Sequence, residues 1–268
     1  MNDHFERVAE AFSYKAEIYD TFGEGHVNLN RMRQKVYRHV LSYLHSGDRI
    51  LELNAGTGTD AIYFAGQGYA VHAIDISTGM VARLGEKIKL KNLYDKVDVQ
   101  RCSFTELDKV NSGPFELVFS DFGGLNCIPN LKPVTQHLNQ VLIPGGYISW
   151  VIMPPFCPWE MALIFKGEIR HATRRLHRKG VMANVEGVKF MTYYFTPRQV
   201  LSDLGANFQL IRLEGLSVLT PPADRKNFAL RYPRIYRWMA AIDDWISQKA
   251  PFNSWGDFFI LTAQYHPS

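Results

Sequence analysis

The chain has 268 residues, and 46% of them are hydrophobic, which is enough to form one large buried core. Its formal net charge of +4 is too small to argue by itself for nucleic-acid binding. The longest apolar run, residues 147–153, is far shorter than the roughly 20 residues of a membrane helix, and the polar amino terminus lacks the core of a secretion signal. We therefore expect a soluble, cytoplasmic protein that acts on a small molecule.

Apolar runs alternate with amphipathic stretches along the chain. In chain order, strands are predicted near 49–54, 70–75, 97–101, 115–120 and 146–153, with helices near 59–67, 79–90 and 131–142. Two further strands are predicted over 207–213 and 257–263. Since strands and helices alternate, the pattern indicates a mainly parallel sheet with helices packed on it.

The first predicted strand ends in a glycine-rich turn, Asn54-Ala55-Gly56-Thr57-Gly58, and the second strand ends at Asp75, 17 positions beyond Gly58. A Gly-x-Gly turn that opens a helix brings the backbone close to a ligand, and a carboxylate about 20 residues later suits a ribose diol. Glu52 would repel a pyrophosphate at this turn. S-adenosylmethionine has no phosphate and carries cationic ammonium and sulfonium groups, so the charges favour it.

This pattern resembles the class I S-adenosylmethionine-dependent methyltransferases, over residues 12 to 263. Glu52, Gly56 and Gly58 match the family's Glu-x-Gly-x-Gly-x-Gly loop, and Asn54 stands where the family has its first glycine. Asparagine tolerates a positive φ better than other residues with a Cβ, so we expect the turn to form.

The resemblance implies an α/β fold, Rossmann-like and doubly wound, with a mostly parallel seven-stranded sheet, an antiparallel last strand and a helical cap. A dehydrogenase domain would continue in parallel fashion instead. The expected organisation is a single methyltransferase domain over 1–268, with an N-terminal helical lid (1–45), a cofactor-binding core (46–154) and two cap insertions (155–196 and 220–250).

The resemblance also implies which residues contact the cofactor. Asp75 matches the acid that binds both ribose hydroxyls, and Ile76 and Met80 match the apolar residues that flank adenine. The remaining expected cofactor-binding residues are Tyr14, Tyr19, Arg33, Glu52, Asn54, Ala55, Gly56, Gly58, Cys102, Ser103, Phe104 and Ser120.

Four of the residues in the expected lid have alternative interpretations. Tyr14 or Tyr19 could lie against the methionine end of the cofactor or could serve helix packing. Arg31 or Arg33 could pair with the methionine carboxylate, although a solvated surface position is the interpretation we favour for each arginine.

Methyl transfer is an in-line displacement, so positioning and exclusion of water can supply most of the acceleration and a base is optional. Asp121, which follows the fourth strand, is the first candidate for a catalytic base, and His26 and Glu160 are the others. Asp121 could instead be a turn carboxylate, and His26 an exposed lid residue. Asn126 and Cys127 could line the methyl site.

Two later segments carry distinctive patterns. Residues 166–180 contain six cations, and on a helix Arg170, Arg174 and Arg178 would share one face. Facing inward, they would suit an acidic acceptor; facing outward, they would form a solvated or membrane-surface patch, and we favour the solvated interpretation. Residues 232–247 predict an amphipathic helix whose apolar spacing, including Trp238 and Trp245, is typical of core or cap packing more than of a dimer face.

Together these patterns predict a methyltransferase that acts on a small-molecule, possibly anionic, acceptor. The alternatives are a nicotinamide-dependent oxidoreductase and a non-catalytic cofactor-binding protein. The spacing of Cys102, Cys127 and Cys157 indicates neither a disulfide framework nor a zinc site. The expected partners are the small acceptor but no nucleic acid and no membrane span, for a monomer or a homodimer.

Overall fold

The computed structural model describes residues 2–17, 19–23 and 25–267, without the side chains of residues 2–4, 19 and 22. Its strands are β1 (Arg49–Leu53), β2 (Ala70–Asp75), β3 (Val97–Arg101), β4 (Phe115–Ser120), β5 (Leu142–Ile152), β6 (Val181–Val185), β7 (Val188–Thr192), β8 (Phe208–Leu216) and β9 (Phe258–Tyr265). Seven of them form one sheet in the order β3-β2-β1-β4-β5-β9-β8, and β6 and β7 form a separate hairpin. In the large sheet β9 runs antiparallel to both of its neighbours. The predicted Rossmann-like fold with an antiparallel last strand is therefore confirmed.

Helices flank the sheet and cover its carboxyl edge. They are α1 (Asn2–Lys15), α2 (Tyr19–Gly23), α3 (Val27–Leu41), α4 (Thr59–Gly66), α5 (Thr78–Lys91), α6 (Lys132–Thr135), α7 (Leu138–Val141), α8 (Pro158–Met161), α9 (Ile169–Ala172), α10 (Pro197–Leu204), α11 (Lys226–Arg231) and α12 (Pro233–Ile246). The predicted helices at 59–67 and 79–90 correspond to α4 and α5, whereas the helix predicted at 131–142 is divided into α6 and α7.

The two faces of the sheet bury separate apolar clusters. Successive residues of a strand point to opposite faces, so Ile50 packs with Phe64 of α4 and Leu84 of α5, while Leu51 packs on the other face with Leu138 of α7. By the same alternation Glu52 lies on the face of Ile50. This places a carboxylate below the start of α4.

The amino-terminal helix α1 packs against the β6–β7 hairpin. Val8 and Ala11 of α1 form a small buried cluster with Cys127 and with Phe190 of β7. The hairpin was not predicted, because residues 155–196 were interpreted only as a helical cap insertion. It adds a β element beside the expected lid.

The basic segment 166–180 is not one helix, so the prediction that Arg170, Arg174 and Arg178 share a helical face is wrong. Only α9 is α-helical there, and a separate 3-10 turn spans Arg174–Leu176. Arg175 is buried between the carboxylates of Glu160 and Asp257, with one nitrogen 2.7 Å from an oxygen of each. These buried ion pairs hold the segment in short turns, although its cations recur at helical spacing in the sequence.

The helix predicted over 232–247 is present as α12, but two of its aromatic residues are not packed. Trp238 is 67% exposed and Trp245 is 70% exposed, whereas Tyr236 is buried. Asp243 is buried instead, and its carboxylate accepts hydrogen bonds from the backbone of Leu219 and Thr220. Burying this carboxylate turns the tryptophans outward.

Candidate active site

A cleft of about 820 Å³, part of it open to solvent, lies at the carboxyl ends of β1 and β4. The strand order reverses between these two strands, which is where open α/β sheets bind their ligands. Its lining residues come from the glycine-rich turn, the ends of β2 and β4, and helices α1 and α3. Among the predicted site residues, those that line it are Arg33, Asn54, Ala55, Gly56, Asp75, Ile76, Met80, Phe104 and Asp121.

The glycine-rich turn adopts the left-handed conformation that its sequence indicates. Asn54, Gly56 and Gly58 have φ values of 49°, 56° and 76°, so Asn54 does take the positive φ expected of the residue in the first glycine position. Its side-chain oxygen accepts a hydrogen bond from the Ser120 hydroxyl at 2.7 Å. Ser120 therefore braces the turn from β4 and does not itself line the cleft.

Gly124 provides the space for the Asn54 side chain. A Cβ added at Gly124 would lie 2.2 Å from Cγ of Asn54, closer than two such carbon atoms can approach. The sequence analysis missed this residue, because its importance depends on a neighbour 70 positions away in the chain. Gly58 is restricted in a similar way, since a Cβ there would meet Leu84 at 2.1 Å.

Asp75 connects the glycine-rich turn to the end of β2. One carboxylate oxygen accepts a hydrogen bond from the backbone N–H of Gly56 at 2.9 Å, and the other accepts one from Ser77 at 2.8 Å. Burial raises the pKa of Asp75, although these backbone hydrogen bonds oppose the shift. A carboxylate can accept about four hydrogen bonds, so Asp75 retains capacity for ligand hydroxyls.

Four carboxyl groups surround the turn: those of Glu52, Asp60, Asp75 and Asp121. Burial raises the pKa of Glu52 well above its ordinary value, and the nearby Asp60, Asp121 and Asp75 raise it further. Burial and the charge of Asp60 likewise raise the pKa of Asp121, while burial raises that of Asp60. The site is therefore strongly acidic and would be stabilised by a cation.

Two oxygens of this carboxyl cluster are buried without a hydrogen-bond partner among the described residues, Oε2 of Glu52 and Oδ2 of Asp121. Asp121 uses Oδ1 to accept the backbone N–H of Phe122 at 2.8 Å. Unsatisfied buried acceptors are costly and rare in proteins. Of these two residues Asp121 lines the cleft, so its Oδ2 is the atom that a ligand can complete. These carboxylate acceptors suit a positively charged ligand and not a pyrophosphate.

Arg33 of α3 is the cation that lines the cleft among the described residues. Its Nε lies 4.0 Å from Oδ1 of Asp60, and its guanidinium lies over the Phe122 ring at 5.6 Å. The expectation of a solvated surface position is wrong for Arg33, whose side chain is 15% exposed. Arg31 instead bonds to α12, donating to the Ala240 carbonyl and to Asp244.

The first two helices contact the loops that follow β2 and β1. The Ser13 hydroxyl of α1 lies 2.8 Å from that of Ser77, and a Cβ added at Gly79 would lie 2.9 Å from the Ser13 carbonyl oxygen. On α2, the Asp20 carboxylate accepts a hydrogen bond from the Thr57 hydroxyl at 2.6 Å. Val8 and Phe12 of α1 thereby become part of the cleft wall.

Comparison with known proteins agrees with this geometry. Residues 50–146 match the family model described as a methyltransferase domain. The chain is 34% identical to the demethylmenaquinone methyltransferase of Beutenbergia cavernae over 116 residues, which are 42% of this chain and 45% of the relative. It is 27% identical to the tRNA 5-carboxymethoxyuridine methyltransferase of Escherichia coli K12 over 146 residues, 54% of each protein. The chain thus spans about half the length of the curated relatives it matches.

A solved structure with the same fold contains a bound cofactor product. The 1,6-didemethyltoxoflavin-N1-methyltransferase of Burkholderia thailandensis, with 1,6-didemethyltoxoflavin and S-adenosylhomocysteine bound, is 13% identical with a TM-score of 0.60, covering 99% of this chain and 90% of that one. Residues 50–146 thus correspond to a methyltransferase domain, and the fold of the chain is the one seen in this methyltransferase structure.

Several residues that were expected to contact a cofactor lie outside the cleft. Tyr14 is 62% exposed, and its hydroxyl donates a hydrogen bond to Glu10. The side chain of Tyr19 lies outside the described residues. Glu52 and Gly58 do not line the cleft. Cys102 and Ser103 form local hydrogen bonds after β3, that of Ser103 with the hydroxyl of Thr105 at 2.8 Å.

The candidate bases other than Asp121 are engaged in structural contacts. His26 is buried and caps α3: its Nδ1 accepts the backbone N–H of Leu29 at 3.1 Å, so Nε2 carries the proton and donates to the Ala223 carbonyl at 2.6 Å. The alternative interpretation of His26 as an exposed lid residue is therefore wrong. Glu160 binds both Arg174 and Arg175, and although burial opposes the shift, these hydrogen bonds lower its pKa to about 2.

Among residues 2–17, 19–23 and 25–267, the chain has no helix that is both long and apolar enough to cross a bilayer. In the same residues no three histidine, cysteine, aspartate or glutamate side chains are grouped to hold a metal ion. Cys102, Cys127 and Cys157 are buried and form no disulfide with one another.

Proposed function

We propose that this chain transfers the methyl group of S-adenosylmethionine to a small-molecule acceptor. The observation that carries the proposal is the cluster of Glu52, Asp60, Asp75 and Asp121, with two buried carboxylate oxygens that have no hydrogen-bond partner among the described residues. This arrangement fits the sulfonium and ammonium of the cofactor, because an opposite charge stabilises the ionised form of each carboxylate.

The cleft offers a complementary group for each part of the cofactor. Asp75 would accept the ribose hydroxyls, and Ile76, Met80 and Phe104 provide apolar walls for adenine. Arg33 would bind the methionine carboxylate, since it lines the cleft and its guanidinium matches the geometry of a carboxylate.

S-adenosylmethionine supplies a methyl carbon that its positive sulfur has already activated. The chain therefore has to orient the two reactants and keep water away from them. Phe12 and Val8 on α1, together with Phe122 and Cys127, cover the cleft with apolar surface. We propose that α1 and α2, within the lid of residues 1–45, dock over the bound cofactor, and that segments 155–196 and 220–250 are cap insertions on one domain.

Asp121 is proposed to act mainly as a charge partner of the cofactor. Its Oδ1 is engaged by the backbone of Phe122, and burial beside Asp60 keeps its pKa raised. A bound cation beside Asp121 would favour its ionised form. His26, capped and buried, is proposed to be structural.

An acidic acceptor was expected only if the basic segment 166–180 faced the active site. Arg174 and Arg175 are instead neutralised by Glu160 and Asp257, and Arg170 and Arg178 are exposed. If Arg33 binds the methionine carboxylate, the described part of the cleft has no further cation for an acidic group. We therefore propose a neutral or basic acceptor.

A nicotinamide-dependent oxidoreductase is disfavoured on two grounds. The four carboxyl groups would repel a pyrophosphate at the glycine-rich turn, and β9 is antiparallel where a dehydrogenase domain would continue in parallel. A protein that binds the cofactor without turnover remains the alternative that activity measurements must separate.

Isothermal titration calorimetry with S-adenosylmethionine, S-adenosylhomocysteine and reduced nicotinamide dinucleotide tests the proposal. We expect the first two to bind, and Asp75→Asn to weaken both by about tenfold or more, since a hydrogen bond to a charged group contributes about 1.5–3 kcal/mol. Asp95→Asn is the matched control, because Asp95 is exposed near the amino-terminal edge of the same sheet. Binding of the dinucleotide alone would refute the proposal.

Turnover is tested by the release of S-adenosylhomocysteine with panels of amines, phenols and thiols, beside a panel of carboxylic and phosphorylated acceptors. Methylation of members of the first panel is the expected result. Tight cofactor binding with no product from either panel would favour the non-catalytic alternative.

A further inference from the structure

Large apolar side chains are exposed together on one part of the cap, which we call the cap face. Phe165 is 93% exposed and Trp238 is 67% exposed, values that are unusual for aromatic residues in water. The cap face comprises Ile164, Phe165, Ile169, Leu230, Ile235 and Trp238. Exposed apolar groups that occur together in this way mark a surface that meets another phase or molecule.

A basic groove runs through the cap face. It is lined on one side by Leu163 and Lys166 and on the other by Phe228 and Arg231 of α11. Ile164 and Phe165 lie between two of these lining residues in the chain, and Leu230 lies beside another, so these three exposed apolar residues border the groove.

Cations in the groove outnumber carboxylates. Lys166, Arg225, Lys226 and Arg231 line it, against the single carboxylate of Asp224. Arg225 lies 3.9 Å from Asp224, whereas Lys166, Lys226 and Arg231 have no ion pair with any described residue. The groove is therefore an anion-attracting surface with unneutralised charge.

Helix α12 extends the same pattern beyond the groove. Arg234, Ile235, Arg237 and Trp238 are all exposed in its first two turns. Alternation of Trp, Ile or Leu with Arg and Lys on an exposed surface is typical of segments that lie in a membrane interface, where apolar groups enter the acyl boundary and cations meet lipid phosphates.

Other occupants fit these residues less well. A second copy of the chain on a two-fold axis would place the cations of one face against those of the other. RNA would use the cations and aromatic rings, but it offers no favourable environment for exposed Ile164, Ile169 and Ile235. An anionic bilayer surface satisfies both the charges and the aliphatic side chains.

We propose that the cap face binds the surface of anionic lipid bilayers. In this arrangement Phe165 and Trp238 insert at the level of the headgroups, and Lys166 and Arg231 contact lipid phosphates. None of these residues lines the cofactor cleft, so the proposal is independent of the chemistry at the active site.

Co-sedimentation of the full chain with vesicles tests the proposal. We expect binding to vesicles that contain phosphatidylglycerol and much weaker binding to phosphatidylcholine alone. Lys166→Gln with Arg231→Gln should weaken binding by about fivefold for each charge removed, since a cation near an anionic surface contributes about 1 kcal/mol. Phe165→Ser with Trp238→Ser should weaken it by about tenfold or more, since inserted apolar area drives the binding.

The matched control is Leu90→Ser with Tyr94→Ser. These side chains are 84% and 62% exposed, at the far end of α5 from the active site, and their replacement should leave vesicle binding unchanged. S-adenosylmethionine binding by every variant serves as the check that the chain is folded. Equal losses in the control and cap-face variants, equal binding to neutral vesicles, or binding to RNA but not to vesicles would each overturn the proposal.

Discussion

Replacement of Gly124 by alanine tests the geometry of the glycine-rich turn directly. In the structure the Asn54 side chain fills the space where a Cβ of residue 124 would be, at 2.2 Å from Cγ and 2.4 Å from Nδ2. Backbone atoms on both sides are fixed by β1 and β4, so the side chain of Asn54 has to move. Its hydrogen bond with Ser120 is then lost.

The expected destabilisation has two parts. Overpacking of this kind typically costs about 1–3 kcal/mol, and the lost hydrogen bond adds about 1 kcal/mol. Gly124→Ala should therefore lower the free energy of unfolding by about 2–4 kcal/mol. In an Asn54→Gly background the space is open, and the same Gly124→Ala change should cost less than about 1 kcal/mol.

Urea unfolding of the wild type, both single variants and the double variant forms a double-mutant cycle. The expected coupling free energy is about 1.5–3 kcal/mol, in the range seen for residues in contact. Gly85→Ala is the control: an added Cβ there meets no atom within 4 Å, and a glycine within a helix costs about 0.5–1 kcal/mol relative to alanine. It should stabilise the chain. Additive effects of Asn54→Gly and Gly124→Ala would refute the steric argument.

Two further predictions concern buried charge. Arg175→Met should lower the free energy of unfolding by about 3–5 kcal/mol in urea titrations, because it leaves Glu160 and Asp257 without their shared buried partner; a loss below about 1 kcal/mol would show that the pair is dispensable. Affinity for S-adenosylmethionine should fall on acidification at a pH above the ordinary carboxyl pKa of about 4, because the pKa values of Glu52 and Asp121 are raised. S-adenosylhomocysteine, whose sulfur is neutral, should lose less affinity over the same titration, and identical pH slopes in calorimetry would contradict the assigned role of the carboxyl groups.

The core of the fold was predictable because its signals are local. Strands β2, β3 and β4 occupy the predicted residues, since each is an apolar run bounded by turn residues. Asp75 could be placed in the site from its spacing after Gly58, because a strand, turn and helix of ordinary length leave little freedom in where β2 ends.

The remaining site residues depend on contacts that no local pattern shows. Arg31 and Arg33 are two positions apart on α3 and therefore face different directions; one meets α12 and the other meets the cleft. Which of them enters the site is decided by where α12 packs. Asp20, Asp60 and Gly124 were missed for the same reason, since each contributes only through a partner distant in sequence.

The cap was predicted least well. Helical spacing in residues 166–180 suggested a shared basic face, but buried ion pairs of Arg175 with Glu160 and Asp257 fix the segment in short turns. In α12 the apolar residues gave the correct helix and Tyr236 is buried, but Trp238 and Trp245 were wrongly expected to be packed. A buried carboxylate with backbone partners, that of Asp243, determines the orientation of the helix.

Stability and cofactor recognition are linked through the carboxyl groups of the cleft. The pKa values of Glu52, Asp60 and Asp121 are raised in the folded chain above their ordinary range. Their contribution to stability is therefore greatest below the unfolded pKa of about 4 and is lost as the pH rises through the raised values. At neutral pH the burial of these neighbouring carboxyl groups therefore costs the free protein folding stability, and a bound cation would reduce that cost. The same charges that select a sulfonium ligand should thus make the folded state depend on that ligand most strongly at neutral and higher pH.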